Sequence, residues 1–306
     1  MSELKIKLSN IREKFEDEKK AHFYLASQRW KDGEVLCPHC GHTEYYVFKD
    51  GIRYKCKSCA KQFNAKTGTF MEASKLPTYK WIYGMYLLMQ RKGISSVQLA
   101  EILEIQQRSA WFMLQRLRWA LGNDGDEEKL EGAVSIDAAA IGGKNFNRHH
   151  DKKYKYSKGR AYPDKTTVMG LHEAHGRVKT FVVKSENSKE IKPLVYGNVK
   201  LGSILVTDEF KVYENFRSNF NHQVCNHRKK IYVSKDGFSS NNVENFWSHL
   251  KRGLNGIYIQ VSKKHLQKYL HEFQFRHNNR NLGIHEKIEV LLERMVCRLK
   301  YKELIS

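Results

Sequence analysis

Apolar positions recur at helical spacing through the first third of the chain. Residues 3–32 carry such a pattern, and a Leu-Pro-Thr break at 76–78 precedes a second group. Three short helices are predicted in that group: YKWIYGMYLLMQR (79–91), VQLAEILE (97–104) and a segment that opens at 105 and runs to about 121. Three short helices with a tight turn before the last one are typical of a helix-turn-helix unit.

The pattern changes after residue 131, where short apolar and β-branched runs replace the helical spacing. Four of these runs predict strands: GAVSIDAAAI (132–141), TTVMGLH (166–172), VKTFVV (178–183) and SILVTD (203–208). Residues 189–196, before the last strand, predict a crossover helix. Three strands, a helix, a further strand and then helices predict a mixed α/β domain.

Four of the six cysteines form two pairs, Cys37-Pro-His-Cys40 and Cys56-Lys-Ser-Cys59. Two CxxC turns offer four thiolates, which is the ligand set of a tetrahedral structural Zn²⁺ site. The stretch between the pairs contains two strand-like runs broken at Asp50-Gly51, a hairpin signal. The chain therefore predicts a zinc ribbon that binds one structural Zn²⁺. Cys225 and Cys297 are isolated, and we interpret both as buried or half-buried thiols.

Net charge favours a polyanionic partner. The 306 residues include 54 Lys and Arg against 33 Asp and Glu, a formal charge of +21, which favours nucleic acid first and an acidic membrane surface second. No apolar run approaches the roughly 18 residues of a membrane span, and the N-terminus has no apolar signal core. We therefore expect no membrane partner and a cytoplasmic, nucleoid-associated protein.

The first residues of the third predicted helix have side chains suited to DNA. In a helix-turn-helix unit this end of the last helix reaches base edges in the major groove. The residues here are Gln106, Gln107, Arg108 and Ser109; glutamine pairs with adenine, and arginine pairs with guanine or phosphate. A three-helix bundle used only for packing is the alternative, and the adjacent ribbon and basic charge favour DNA binding.

Three acids stand out by their context. Asp137 lies inside an apolar strand, Asp208 ends another, and Glu244 lies on the amphipathic stretch FSSNNVENFWSHLKRG (238–253). If the two strands are parallel neighbours, both aspartates come within reach of one ion; such carboxylates are the ligands that a two-metal phosphoryl-transfer site needs. Taken singly, Asp208 could cap a helix, Asp137 could pair with a buried arginine, and Glu244 could be a surface charge.

Longer motifs resemble a known family, the bacterial insertion-sequence DDE transposases of the ISXO2-like group, relatives of Merlin-type elements. The resemblance covers nearly the whole chain. It is carried by RWKDGEVLCPHCG, YKCKSCAKQFNAKTGTFMEASKLP, SIDAAAIGGK, LVTDEFKVYENF and NNVENFWSHLKRGLNGIYIQVSKKHLQKYLHEFQFRHNNR. It implies a multidomain fold: a small zinc ribbon and an all-α helix-turn-helix, then an α/β ribonuclease-H-like domain with a mixed sheet and flanking helices.

The resemblance also implies roles and partners. Asp137, Asp208 and Glu244 map onto the catalytic acids, which bind two Mg²⁺ (or Mn²⁺) ions, and Lys251 maps onto the basic residue that follows the last acid. The implied reaction is cleavage at the element ends and transfer of the freed 3′-hydroxyl to target DNA, by at least a homodimer in the synaptic complex. The implied boundaries are 1–34 for an N-terminal helical segment, 35–75 for the zinc ribbon, 76–122 for the helix-turn-helix, 123–131 for a linker, 132–282 for the catalytic domain and 283–306 for a C-terminal helix.

Basic clusters lie close to these acids along the chain. KNFNRHHDKKYKYSKGR (144–160) follows the Asp137 strand, and HRKK (227–230) falls between the last two acids. We expect DNA contacts from Lys152, Lys153, Arg228, Lys229, Lys251 and Arg252; solvated loops are the alternative.

Two stretches depart from the family pattern: Ala138, Ala139 and Ala140 follow the first acid, and Ser239 and Ser240 stand where a His-Thr pair is common. A non-catalytic or domesticated DNA-binding regulator, or a nuclease without strand joining, therefore remains the alternative function.

Overall fold

The computed structural model describes residues 13–15, 17–123, 128–143, 145–155, 165–174, 176–225 and 241–305. The chain divides into two compact units. The ribbon-helix unit comprises Met1–Asp124 and Asn281–Ser306, and the sheet unit comprises Gly125–Arg280. None of the helices in the described ranges is long and apolar enough to cross a membrane.

The ribbon-helix unit begins with helix α1 (Glu18–Arg29) and a small antiparallel sheet. In the order β1-β2-β3, its strands are β1 (Tyr45–Val47), β2 (Tyr54–Cys56) and β3 (Gln62–Phe63). Asp50 shapes the predicted hairpin, because its carboxylate accepts from the backbone N–H groups of Ile52 and Arg53 at 2.9 and 3.1 Å. The hairpin prediction is confirmed, and β3 is an additional short strand.

Three further helices follow the ribbon at the positions that periodicity predicts: α2 (Thr78–Leu88), α3 (Ser96–Leu103) and α4 (Gln107–Gly122). Ser95 caps α3 by accepting from the backbone N–H of Gln98 at 3.2 Å. Glu104 ends α3 in the left-handed conformation, with φ of 51°, so that α4 begins after a turn of three residues.

The core of the ribbon-helix unit is built where these helices meet. Trp81, Met85, Leu99, Leu114 and Leu117 are all at most 1% exposed. Residues from the C-terminal part of the chain complete this unit, because α8 (Ile284–Glu293) packs against α1 and α2. The short helix α9 (Tyr301–Ile305) follows α8.

A five-stranded mixed sheet forms the centre of the sheet unit. Its strands are β4 (Ala133–Ile141), β5 (Thr166–Glu173), β6 (Val178–Val183), β7 (Ile204–Thr207) and β8 (Asn221–Val224). The spatial order is β6-β5-β4-β7-β8. Strand β5 is antiparallel to both β4 and β6, whereas β7 is parallel to β4 and β8 is parallel to β7. Four strands were predicted from the sequence. The fifth strand, β8, was not predicted, because its sequence NHQV is short and largely polar.

Helices cover both faces of this sheet. Helix α5 (Ser188–Asn198) covers one face through Ile191 and Val195, which pack with Ile136 of β4. Helices α6 (Asn241–Gly253) and α7 (Leu266–Asn278) cover the other face, which includes Ala139. Successive side chains on a strand point to opposite faces, so the side chain of Asp137 is directed towards α6.

The open edge of the sheet is closed by side-chain amides of α7. Gln267 accepts from the backbone N–H of Val182 at 2.8 Å and donates to the carbonyl of Thr180 at 2.9 Å. Gln274 accepts from Thr180, and Asn278 makes a reciprocal pair with Val178. These bonds satisfy backbone groups of β6 that another chain could otherwise pair with.

Candidate active site and metal centre

The four paired cysteines converge in the ribbon. The thiols of Cys37 and Cys59 lie 3.7 Å apart, and those of Cys40 and Cys56 lie 3.6 Å apart. All four sulfur atoms lie within 4.8 Å of one another. Four ligands at the 2.3 Å zinc–sulfur distance occupy tetrahedron corners about 3.8 Å apart, so the cluster fits one structural Zn²⁺.

Backbone geometry at both turns prepares the cysteines for a metal. The residue after each CxxC is left-handed, Gly41 with φ of 75° and Ala60 with φ of 58°, and each donates its N–H to the carbonyl of the first cysteine of its pair. Hydrogen bonds from the backbone of Cys59 and Ser58 lower the pKa of the Cys56 thiol to about 6. The local structure therefore favours the thiolate at Cys56, whereas burial and the neighbouring thiols raise the pKa of Cys40 to about 11 against a hydrogen bond from the backbone of His42 that lowers it.

The other two cysteines lie apart from this cluster. Cys225 is fully buried, and Cys297 is partly buried, with a pKa raised to about 11 by burial. Both agree with the interpretation of isolated structural thiols.

Asp137 lies on β4, and Asp208 directly follows the neighbouring parallel strand β7. Ser135 of β4 pairs with Val206 of β7, and each aspartate follows two residues later. Both side chains are half-buried. The carboxylate of Asp208 also accepts from the backbone N–H of Phe210 at 3.0 Å, so it shapes the turn after β7 as well.

Glu244 approaches the two aspartates from the first turn of α6. The pKa of Asp137 is raised to about 6, mainly by burial and also by the charges of Asp208 and Glu244, against hydrogen bonds from the backbone of Ala138 and from Trp247 that lower it. Asp208 and Glu244 are thus both near enough for their charges to act on Asp137. The three carboxylates do not form a tight cluster, since in the described part of the chain only the four cysteines bring three or more such ligand atoms within 4.8 Å.

A tryptophan and a glycine, neither of them singled out by the sequence, complete the surroundings of Asp137. The indole N–H of Trp247 donates to the carboxylate of Asp137 at 3.0 Å. Gly170 of β5 pairs directly with Asp137, and a Cβ atom there would lie 2.6 Å from the Trp247 ring. Trp247 follows Glu244 by three residues, so helical phase could have placed both on one face.

The predicted DNA-reading residues lie at the start of α4. Gln106, Gln107 and Arg108 are exposed, and Ser109 is half-buried. The amide of Gln107 donates to the hydroxyl of Ser96 at 2.8 Å, and the guanidinium of Arg108 lies 3.4 Å from the Tyr301 hydroxyl.

The predicted phosphate contacts lie in two described places. Lys152 and Lys153 are exposed in a turn after β4. The Nζ atom of Lys153 lies over the exposed Phe146 ring, 5.5 Å from the ring centroid. Lys251 and Arg252 are exposed on the last turn of α6. The remaining two, Arg228 and Lys229, fall outside the described residues.

One departure from the family pattern has a described position. Ala138, Ala139 and Ala140 continue β4 beyond Asp137, and Ala139 packs under α6. Ser239 and Ser240 lie outside the described residues.

One unit thus contains a four-cysteine ribbon, and the other contains a mixed sheet in which Asp137 and Asp208 lie near helix α6, which carries Glu244. Residues 129–278 match the model of the ISXO2-like transposase domain, and residues 16–62 match that of the transposase zinc-ribbon domain. The chain belongs to the ISXO2-like transposase family.

Two curated relatives agree with this membership. An uncharacterized transposase-like protein of Haemophilus influenzae is 36% identical over 107 residues, which cover 34% of this chain and 82% of that protein. An uncharacterized protein in transposable element ISH50 of Halobacterium salinarum is 28% identical over 294 residues, which cover 91% of this chain and 97% of that protein.

Solved structures offer a weaker likeness. The pre-cleavage Mos1 transpososome matches with a TM-score of 0.29 and 14% identity over 70% of this chain and 76% of that one. The Mos1 strand transfer complex matches with a TM-score of 0.30 and 14% identity over 70% and 75%. These scores are too low to establish a shared fold.

Proposed function

We propose that this protein is a DNA transposase that binds the terminal inverted repeats of its element and catalyses metal-dependent strand cleavage and strand transfer. The observation that carries the proposal is the approach of Asp137, Asp208 and Glu244, which come from two parallel strands and one helix of the family-matched unit. The strand order, three antiparallel strands and then two parallel to the first, supports the ribonuclease-H-like assignment of this unit.

The three acids would hold two Mg²⁺ or Mn²⁺ ions. Carboxylate oxygens are the ligands that these cations prefer. The raised pKa of Asp137 supports the assignment, because burial, together with the neighbouring carboxylates, makes its charged form costly and a divalent cation would offset that cost. When bound, such ions activate an attacking oxygen and neutralise charge on the phosphate.

Residues around the acids have separate proposed tasks. Trp247 would hold one oxygen of the Asp137 carboxylate in place. Lys251 is seven residues beyond Glu244 on α6, close to two full turns, so it would contact a phosphate beside the acids.

DNA binding is proposed for both units. In the ribbon-helix unit, α2, α3 and α4 would act as the helix-turn-helix, with the exposed start of α4 in the major groove. In the sheet unit, exposed lysines at 152 and 153 and the end of α6 would contact phosphates. Because two element ends must meet, we propose a homodimer or larger assembly in the complex.

A cleavage assay tests the proposal. The substrate is the inverted repeat that borders the gene, incubated with Mg²⁺ and with either wild-type protein or Asp208→Asn. Wild-type protein should cut, and the variant should lose the activity because amide oxygen is a weaker ligand than carboxylate. Equal cleavage by both proteins would refute the assigned acids.

Adding a supercoiled target separates the alternatives. Joined products support a transposase, cutting without joining indicates a nuclease, and binding without cutting indicates a regulator.

A further inference from the structure

The chain leaves α6 through an unusual turn that displays an isoleucine. A π-helical turn spans Leu254–Tyr258, and Ile259 follows with φ of 61° and ψ of −56°. The N–H of Gln260 donates to the carbonyl of Tyr258 at 2.6 Å, which closes a γ-turn around Ile259. Left-handed backbone is strained for a β-branched residue, and π-helical turns concentrate at functional sites.

The side chain in this turn gains little from burial. Ile259 is 83% exposed, whereas most large apolar residues of the same region are buried. Neither backbone preference nor core packing therefore explains an isoleucine at this position. Strained residues persist where the surroundings enforce them, and they cluster at functional sites.

The surroundings do enforce this turn. The hydroxyl of Tyr258 donates to Glu272, which is fully buried and also pairs with Arg276 at 2.9 Å. The Tyr258 ring packs at 4.9 Å from the ring of Tyr269. The residue before Ile259 is thus anchored by a hydrogen bond and a ring contact, and the isoleucine projects from that anchored position.

The sequence that flanks the turn carries charge of one sign. Residues 245–271 contain no Asp or Glu, and Lys251, Arg252, Lys263 and Lys264 are exposed on either side of the turn. Burial, and then the charge of Lys264, lowers the pKa of the nearby Lys268. An apolar tip flanked by basic side chains matches the way in which DNA-bending proteins insert wedges between bases.

We propose that the turn at Ile259 is a DNA wedge, in which the isoleucine enters between neighbouring bases of the substrate duplex while the flanking lysines and arginine hold its phosphates. The proposal rests on the proposed function for its partner, double-stranded DNA. It adds to that function a device that unstacks bases close to the helix that carries Glu244.

A fluorescence experiment with matched variants tests the wedge. The probe is a duplex of the DNA that borders the gene, with 2-aminopurine placed in turn at successive positions, in buffer without Mg²⁺ or Mn²⁺ so that no strand is cut and the structural zinc is retained. Unstacking should raise the fluorescence at one position with wild-type protein. Ile259→Gly should fold, because glycine accepts this backbone, and should abolish the rise while affinity stays within about tenfold. Ile259→Leu should retain the rise.

Three outcomes would overturn the wedge: no rise with bound wild-type protein, an equal rise with Ile259→Gly, or joint loss of binding and fluorescence change in that variant. Replacing Lys263 and Lys264 with alanine should reduce the slope of log affinity against log salt by about two, and Lys200→Ala, at an exposed pair with Glu131, should not. An unchanged slope would refute the phosphate contacts. A rise without any metal-dependent cleavage would keep the wedge and refute only the proposed catalysis.

Discussion

Trp247 donates its indole N–H to Asp137 across 110 positions of sequence, over a distance of 3.0 Å. The bond joins the helix that carries Glu244 to the strand at the centre of the sheet. It fixes the orientation of one carboxylate oxygen and favours the charged form of Asp137, whose pKa burial otherwise raises. A correctly oriented, ionised carboxylate is what a metal ligand requires.

Replacing Trp247 with phenylalanine should impair metal binding more than folding. Phenylalanine retains much of the ring packing and loses the N–H donor. We expect Mn²⁺ affinity and strand cleavage to fall by about 10–100-fold, the usual effect of removing a group that orients a ligand. Titration calorimetry with Mn²⁺ and the cleavage assay measure the two effects.

Phe246→Leu is the matched control, because Phe246 shares this core without a bond to Asp137. It should lower stability and leave Mn²⁺ affinity close to that of the wild type. If both variants lowered metal affinity equally, the role of Trp247 would be packing alone.

Adding one methyl group at Gly170 should disturb the same site. The new Cβ would lie 2.6 Å from the Trp247 ring, so Gly170→Ala should lower the free energy of unfolding by about 1–3 kcal/mol and reduce cleavage. Urea unfolding measures the first effect. Gly197→Ala on α5 meets nothing within 4 Å and should be neutral or stabilising; a Gly170 variant as stable as this control would contradict the packing argument.

Zinc should be bound by the cysteine cluster alone. Cys56→Ser should release the metal and unfold the ribbon, because four thiolates close the coordination shell. Elemental analysis should find about one zinc per wild-type chain. Cys297→Ser is the control, and it should retain the metal; zinc retained by Cys56→Ser would exclude the four-cysteine site.

Acid should destabilise the sheet unit through a pair of histidines, of which His172 is buried and His277 is partly buried. The Nε2 atoms of His172 and His277 lie 3.0 Å apart, and burial, with the charges of His172, Arg280 and His249, lowers the pKa of His277 to about 4. Between pH 6.5 and about 4, the unfolded chain binds a proton that the folded chain does not. This contribution to stability is therefore complete above pH 6.5 and is lost as the pH falls towards 4.

The free energy of unfolding should fall by on the order of 1–2 kcal/mol over this pH range. This is less than the full pKa shift would give, because His277 is only partly buried and solvent screens its charge. Urea unfolding at several pH values, compared between wild type and His277→Gln, measures this fall, since glutamine keeps a donor near the Nε2 position and does not titrate. His150→Gln, at an exposed site whose charge does not act on His277, should keep the wild-type pH dependence. Identical pH dependence in wild type and His277→Gln would rule out the histidine as the cause.

Local features of the chain were readable from the sequence. The helices α2, α3 and α4 follow from apolar spacing, and the two CxxC turns follow from ligand chemistry. Strands β4 to β7 were predictable because their sequences are apolar runs, whereas the polar edge strand β8 was not predictable. Each prediction that succeeded depends on residues within a few positions of one another, where backbone geometry alone sets the periodicity.

Tertiary structure decided which of these elements meet. Sequence placed Asp137 and Asp208 on strands, but only the sheet order made those strands parallel neighbours. The contact between Trp247 and Asp137, the space above Gly170 and the amides of α7 along β6 depend on packing between distant segments. Such contacts depend on which strands pair and which helix covers them. Burial of apolar surface over the whole unit selects that arrangement, and no short window of sequence contains it.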